Sequence, residues 1–387
     1  MNQDLRSAIG NRHWIALCLG LVALGLCLLG WFVDPRQFFI AYLFGELVWL
    51  GVALGSMGFL MMHYLTGGMW GWPTRRMLEA ASKTLPLLGL TFIPIFFGLH
   101  YLYPWAMPVQ VAADQVLQHK HPYLSPFWFV VKACIFFAIW SVIAVLLNRW
   151  SRQQDSTHDV APLIRIRKWS GPGLVLYPLT VTFTYVDWIM SLEPDWYSTM
   201  FPILICIGQM LSGLTFVILL LVWLGPRSSL STVTGKENFH HLGSLVFAFT
   251  MMWAYLAFGQ LLIIWSGDLP HEISWYLHRV AGSWHAVVAF LVLFHFFGPF
   301  LILLSRQVKR SRRALVIIAG VVFAAHIVDV WWMIEPSFYQ HGIHISWQNF
   351  TALLGIGGVW LFFFTRNLES KSLVPLNDPR FALAITA

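Results

Sequence analysis

Ionisable side chains buried in long apolar runs are where this sequence offers chemistry. Asp187, His326 and Asp329 lie in such runs, as do Glu46, Lys132, His295 and Gln260, with His100 at the end of another. A charged side chain at mid-bilayer costs about 2.5–3.5 kcal/mol on insertion scales, so each needs a reason. His326 and Asp329 stand three residues apart, the helical spacing of an imidazole–carboxylate pair. Thr180, Thr184, Asp187 and Ser191 recur at i, i+4, i+7 and i+11 and mark one polar stripe on a helix. Carboxylates and imidazoles accept the protons that leave quinol hydroxyls, and they form proton routes through membranes. The competing role is interhelical hydrogen bonding, worth about 0.6 kcal/mol per contact. That role suits Gln209, Gln260 and the threonines. For Asp187, His326 and Asp329 proton handling is the better reading, because a carboxylate is a costly way to join helices.

Other chemistries find little support. His271-Glu272 is followed by Trp275 where a zinc-protease motif needs a second histidine. Cys18, Cys27, Cys134 and Cys206 are dispersed within apolar runs, with no paired spacing for zinc, an iron–sulfur cluster or covalent haem, and read as small buried packing residues. No glycine-rich phosphate loop is present. His240-His241 reads as an interfacial pair, and Gly51-x-x-x-Gly55 as a close-packing motif between helices.

The elements that must position these residues follow from composition. The chain has 387 residues, 58% apolar and only 11% charged; soluble domains carry roughly 25% charged residues, so this chain cannot cover a water-facing surface. Ten apolar runs are long enough to cross a bilayer: 14–33, 38–65, 84–103, 126–148, 171–191, 199–224, 241–265, 281–305, 314–334 and 346–365. The expected fold is therefore an all-α polytopic membrane protein, one integral membrane domain over 1–387. The first run ends in Trp31-Phe32-Val33-Asp34-Pro35 instead of a small-residue cleavage site and is kept as a span.

Basic residues orient the spans. Of 24 Lys and Arg, all but Arg36, Lys120, Lys132 and Arg279 fall in the termini and alternate loops of one side, which places both termini in the cytoplasm. The net charge of +7 is thus a topology signal, and nothing else points to nucleic acid. Under this topology Glu46, His100, Lys132 and Asp187 all fall toward the outer side. The ends of spans five and nine also echo one another. Asp187 is followed six residues later by Glu193-Pro194, and Asp329 by Glu335-Pro336, both pairs at the outer interface. The echo suggests two parallel four-helix repeats, 38–191 and 199–336, with a flanking helix at each end. Thr184 then corresponds to His326 and Asp187 to Asp329.

The run from Trp253 to Trp265, continuing through Ser266-Gly267-Asp268-Leu269-Pro270-His271-Glu272 to Trp275-Tyr276-Leu277-His278-Arg279, resembles a signature of alternative complex III. The likeness is to the smaller of that complex's two homologous membrane subunits, often labelled quinone-binding. His63 to Gly71 and Val186 to Thr199 are similar to the same subunit, and more distantly the chain resembles the NrfD/polysulfide reductase type of membrane subunit. The resemblance covers most of the chain, and Gln260 to Glu272 is its most specific part. Gly259, Asp268 and His271 depart from the pattern, where Ser, Asn and Glu are expected.

The resemblance implies ten spans in a bacterial inner membrane and a subunit of a quinol:cytochrome c (electron acceptor) oxidoreductase that does not act alone. It implies a larger homologous membrane subunit, an iron–sulfur subunit and multihaem cytochrome c subunits as partners, with haem and Fe–S clusters carried by them. In that family quinol oxidation is attributed chiefly to the larger homologue, so this chain would contribute a quinone pocket, a proton path or both. The candidates for either, taken from the residue reading, are Asp187, His326, Asp329, Glu46, His100, Lys132, His295 and Gln260, with Glu193 and Glu335 at the outer interface. Three rival readings stand beside it: a purely structural anchor of that complex, a membrane subunit of a related polysulfide or molybdoenzyme-type quinone oxidoreductase, and a secondary transporter. Against the last, the spans lack the matched pair of interrupted helices that many transporters share.

Overall fold

The computed structural model describes residues 10–157, 159–232, 234–374 and 378. Among them there is no strand, and ten helices are long and apolar enough to span a bilayer. These are α1 (Arg12–Val33), α2 (Pro35–Thr66), α3 (Gly71–Phe97), α4 (Pro126–Ser156) and α5 (Ala161–Leu192). They continue as α6 (Phe201–Arg227), α7 (Lys236–Gly267), α8 (Trp284–Leu303), α9 (Arg312–Ser337) and α10 (Trp347–Glu369). The chain is an all-α polytopic membrane protein. Its N-terminal end of α1 and the strongly basic loops lie at one end of the helices, the basic end; the other is the opposite end.

Helices α2 to α5 close into a ring, each against the next and α5 back against α2; α6 to α9 close in the same order. The rings meet where α2 crosses α6. A Cβ on Gly55 would lie 1.8 Å from the Gln209 carbonyl oxygen, and one on Gly213 would lie 2.7 Å from the Ser56 nitrogen, so backbone rests on backbone there. Lipid tails are as apolar as leucine and give helices no hydrophobic reason to associate, so this close approach supplies the packing instead. The Gly51-x-x-x-Gly55 motif serves this crossing, through Gly55. The flanking helices α1 and α10 pack on each other through Gly20 and Gly358 and lie together along α2. Cys27 and Cys206 are buried, whereas Cys18 and Cys134 face outward and do not serve as interior packing.

One boundary departs from the hydropathy reading. The third span begins at Gly71, thirteen residues before the expected 84, because its first turns carry Arg75, Arg76 and Glu79. These charges are buried together, so a run that looks too polar to insert is neutralised internally. The helix is also interrupted, as Gly71–Ser82, Leu85–Thr91 and Ile93–Phe97. At the second break Pro94 follows, and the freed Thr91 carbonyl accepts the Tyr42 hydroxyl at 2.7 Å. Its counterpart in the second ring, α7, runs unbroken from Lys236 to Gly267, so the matched pair of broken spans that a transporter would use is not formed.

Candidate functional site

The strongest candidate lies in the second ring. A cavity of about 350 Å³ is walled by α6 to α9 and the short helix Pro270–Val280. Trp253, Trp275, Tyr276, Phe296 and Trp332 make it aromatic, and Asp329 and Gln260 are polar groups in its wall. Phe258, Leu261, Val292 and Phe297 line it and are also exposed, so it opens sideways between α7 and α8 onto the apolar surface. A flat apolar molecule entering from the lipid would meet a carboxylate at the inner wall.

Each polar side chain is placed by a local feature. Asp329 Oδ2 accepts Trp253 Nε1 at 3.3 Å, while Oδ1 is buried without a partner. His326, one turn earlier on α9, puts Nδ1 3.9 Å from Asp329 Oδ2, adjacent but too far for a hydrogen bond. Gly208 makes room for that ring: a Cβ there would stand 2.9 Å from His326 Cε1. His295 lies 5.9 Å from the His326 ring, centre to centre, and 4.1 Å from Trp253. Both of its ring nitrogens are buried without partners. It sits in a π-helical segment of α8, Leu291–Phe297. Pro299, four residues on, has no N–H to close an α-helical bond to the His295 carbonyl, and the wider turn accommodates that loss. Gln260 lines the cavity together with Tyr276 and leaves its own side-chain carbonyl oxygen unpartnered. It also lines a second pocket of about 170 Å³ with Tyr197 and Glu272, toward the opposite end.

Other candidates are placed elsewhere. Asp187 is buried on α5 and bound by Lys132 Nζ of α4 at 2.7 Å, with the Tyr123 ring 3.4 Å from that nitrogen. The stripe Thr180, Thr184, Asp187 and Ser191 does face inward. Glu46 is buried on α2, accepts Thr91 Oγ1 at 3.2 Å, and leaves its other oxygen unpartnered. It lines none of the pockets described here. His100 falls beyond α3 in the short helix Leu99–Leu102, exposed, with its ring 4.0 Å from that of Tyr101 and tilted against it. Thus Asp329, His326, His295 and Gln260 are neighbours, while Asp187 with Lys132, Glu46 and His100 are not part of that cluster.

The two Glu-Pro sites tie the rings together at the opposite end. Glu193 accepts Arg279 Nη1 at 2.6 Å and Ser337 Oγ at 2.7 Å, and its other oxygen lies 2.9 Å from His278 Nδ1. Burial alone would raise the Glu193 pKa; the Arg279 guanidinium outweighs it and holds the carboxylate below its usual range. Glu335 accepts Gln37 at 3.1 Å and Asn349 at 2.9 Å. Each glutamate therefore closes its ring onto a segment outside that ring. Gln209 bridges Tyr177 and Tyr185 across α5 and α6 at 2.9 and 2.8 Å, the interhelical role expected of it.

Sequence reasoning missed two groups. Arg75 and Arg76, counted as surface charges that mark topology, are buried and bind Glu79 at 3.0 and 2.9 Å; Lys371 reaches Glu79 at 2.7 Å, and Arg76 also pairs with Asp155. The i, i+3 and i+4 spacing of Arg75, Arg76 and Glu79 was the available signal. The second group is Trp253 and Tyr276, which lie in the run that carries the family resemblance but were not among the candidate site residues; both line the cavity. Among the described residues no three His, Cys, Asp or Glu side chains gather as a metal site requires. No family model matches the chain, and no curated protein matches it.

Proposed function

We propose that the chain is an integral membrane subunit of a respiratory quinol:electron-acceptor oxidoreductase of the alternative complex III type, and that its α6–α9 cavity binds the quinone ring. What carries the reading is the carboxylate of Asp329, half-satisfied by Trp253, set in the wall of an aromatic cavity that opens toward lipid. Quinol oxidation releases two protons and two electrons. Asp329 Oδ1 accepts the first ring-hydroxyl proton and hands it to the unpartnered His326 Nδ1 beside it, which frees the carboxylate for the second, while the aromatic wall holds the ring flat. An iron–sulfur or haem group on a partner subunit would supply the acceptor for the two electrons. The basic end faces the cytoplasm of a bacterial inner membrane, and Glu193, Gln260 and Glu335 lie toward the outer face, where such partners would dock.

The test is turnover of the purified complex with a soluble quinol. Asp329→Asn is expected to lower kcat by about 10²-fold or more with the complex still assembled. Ala257→Trp, which fills the cavity mouth, is expected to raise KM. Unchanged turnover in both variants would leave the chain as an anchor. That second reading is favoured by one observation, the Lys132–Asp187 pair, in which the first ring's carboxylate is neutralised by a lysine of the neighbouring helix.

A further inference from the structure

We propose that the basic end carries a site for the phosphate headgroup of an anionic lipid, built by Arg12, Arg227 and Arg312 around Trp223. The three arginines come from different spans, the start of α1, the end of α6 and the start of α9. Arg12 Cζ lies 5.3 Å and Arg227 Cζ 6.0 Å from the centre of the Trp223 ring. Arg227 donates to the Trp223 carbonyl at 2.8 Å, and Arg312 donates to the neighbouring carbonyl of Val222. Three exposed guanidinium groups are thus gathered on one turn of α6, each with donors to spare.

Their counter-charge is not found among the described residues. Among the described residues no carboxylate lies within ion-pair distance of any of the three. Acids of this end are engaged elsewhere: Glu369 faces His13 at 3.8 Å, Glu237 binds Arg310, and Glu79 and Asp155 sit in the buried Arg75–Arg76 network. Like charges gathered around one tryptophan at the edge of a low-dielectric bundle repel, and an anion among them relieves that repulsion. The place is the end of the apolar spans beside a half-buried tryptophan, which is headgroup depth, and basic pockets between spans select anionic headgroups. Arginine forks match the paired oxygens of a phosphate diester. The outward Leu19 and Val22 of α1 continue from Arg12 as an apolar track for acyl chains. This site is independent of the α6–α9 cavity and of any redox role.

Purified protein in nanodiscs of phosphatidylcholine, with a rising share of phosphatidylglycerol, tests the assignment by native mass spectrometry of retained lipid. The intact protein is expected to keep phosphatidylglycerol that the Arg12→Gln, Arg227→Gln, Arg312→Gln triple variant binds roughly 100-fold more weakly. Arg165→Gln with Arg167→Gln, exposed basic residues of the same end, is expected to change nothing. Should the triple variant fail to fold, Arg12→Gln and Arg227→Gln singly are each expected to weaken retention about fivefold. Equal retention of phosphatidylcholine, equal loss in the Arg165/Arg167 control, or no loss in the single variants would overturn the site. So would inorganic phosphate displacing the lipid at millimolar concentration, which would mark a free-anion site.

Discussion

The two rings carry corresponding aspartates at corresponding places, and they treat them differently. In the first, Asp187 is neutralised by Lys132, whose ammonium lies over the Tyr123 ring. In the second, Asp329 has a single neutral donor, Trp253, and a cavity in front of it. Thr184, whose hydroxyl turns back to its own helix at the Thr180 carbonyl, stands where the second ring has His326. Each carboxylate keeps one oxygen without a hydrogen-bond partner, so the difference lies in the donor and the surroundings: a cation holds Asp187, while a neutral indole holds Asp329 at the wall of a cavity. If the rings descend from one ancestral bundle, the chemistry has been confined to one copy, and the lysine is the residue that separates them.

The comparison breaks most readily at Lys132. Lys132→Met leaves Asp187 buried and unpaired and is expected to destabilise the protein by about 3–5 kcal/mol, with much of the loss restored by adding Asp187→Asn. Thermal unfolding in detergent measures both; equal behaviour of Lys132→Met and Asp329→Asn would erase the distinction between the rings. Next is the crossing that joins them. Gly55→Ala forces α2 away from α6 and is expected to cost about 1–3 kcal/mol, read as a lowered unfolding temperature, whereas Gly171→Ala, where a Cβ meets nothing within 4 Å, is expected to be silent.

A smaller effect comes from Glu193. Its folded pKa lies below the usual glutamate range, so its contribution is complete above that range and is lost as pH falls through the folded value. The unfolding temperature is expected to drop on acidification from about pH 6 to pH 3 in the intact protein, and less steeply in Glu193→Gln. Parallel curves would detach Glu193 from the link between rings. The smallest change is Trp253→Phe, which removes one hydrogen bond to Asp329, about 0.5–1.5 kcal/mol, and is expected to alter turnover more than stability.

Much of this was legible along the chain. Ten spans follow from apolar runs, and the inward stripe of α5 follows from helical spacing, because both are local periodicities. The Asp–Glu-Pro echo pointed to two four-helix units; the order in which α2–α5 and α6–α9 close is read from the contacts between helices. Proximity between helices was not legible. Asp187, His326 and Asp329 share residue type and depth, yet Lys132 removes the first from the cluster, and that pairing joins residues 55 apart in sequence. Arg75 and Arg76 were read as surface charges because hydropathy assigns each residue a cost without its partner. Glu79 sits one turn away, but its cluster is completed by Lys371, 292 residues distant.

By itself the sequence determined that this is a bundle of ten membrane helices with acids and imidazoles inside it. Those properties depend on composition and on spacing within a helix, and each helix satisfies its own backbone in lipid wherever its neighbours lie. Tertiary structure decided which acid is paired and which faces a cavity, and which arginines are buried and which converge on Trp223. Such outcomes depend on which side chains from separate helices come within a few ångströms, where the energy of a charge in a low-dielectric interior changes most steeply.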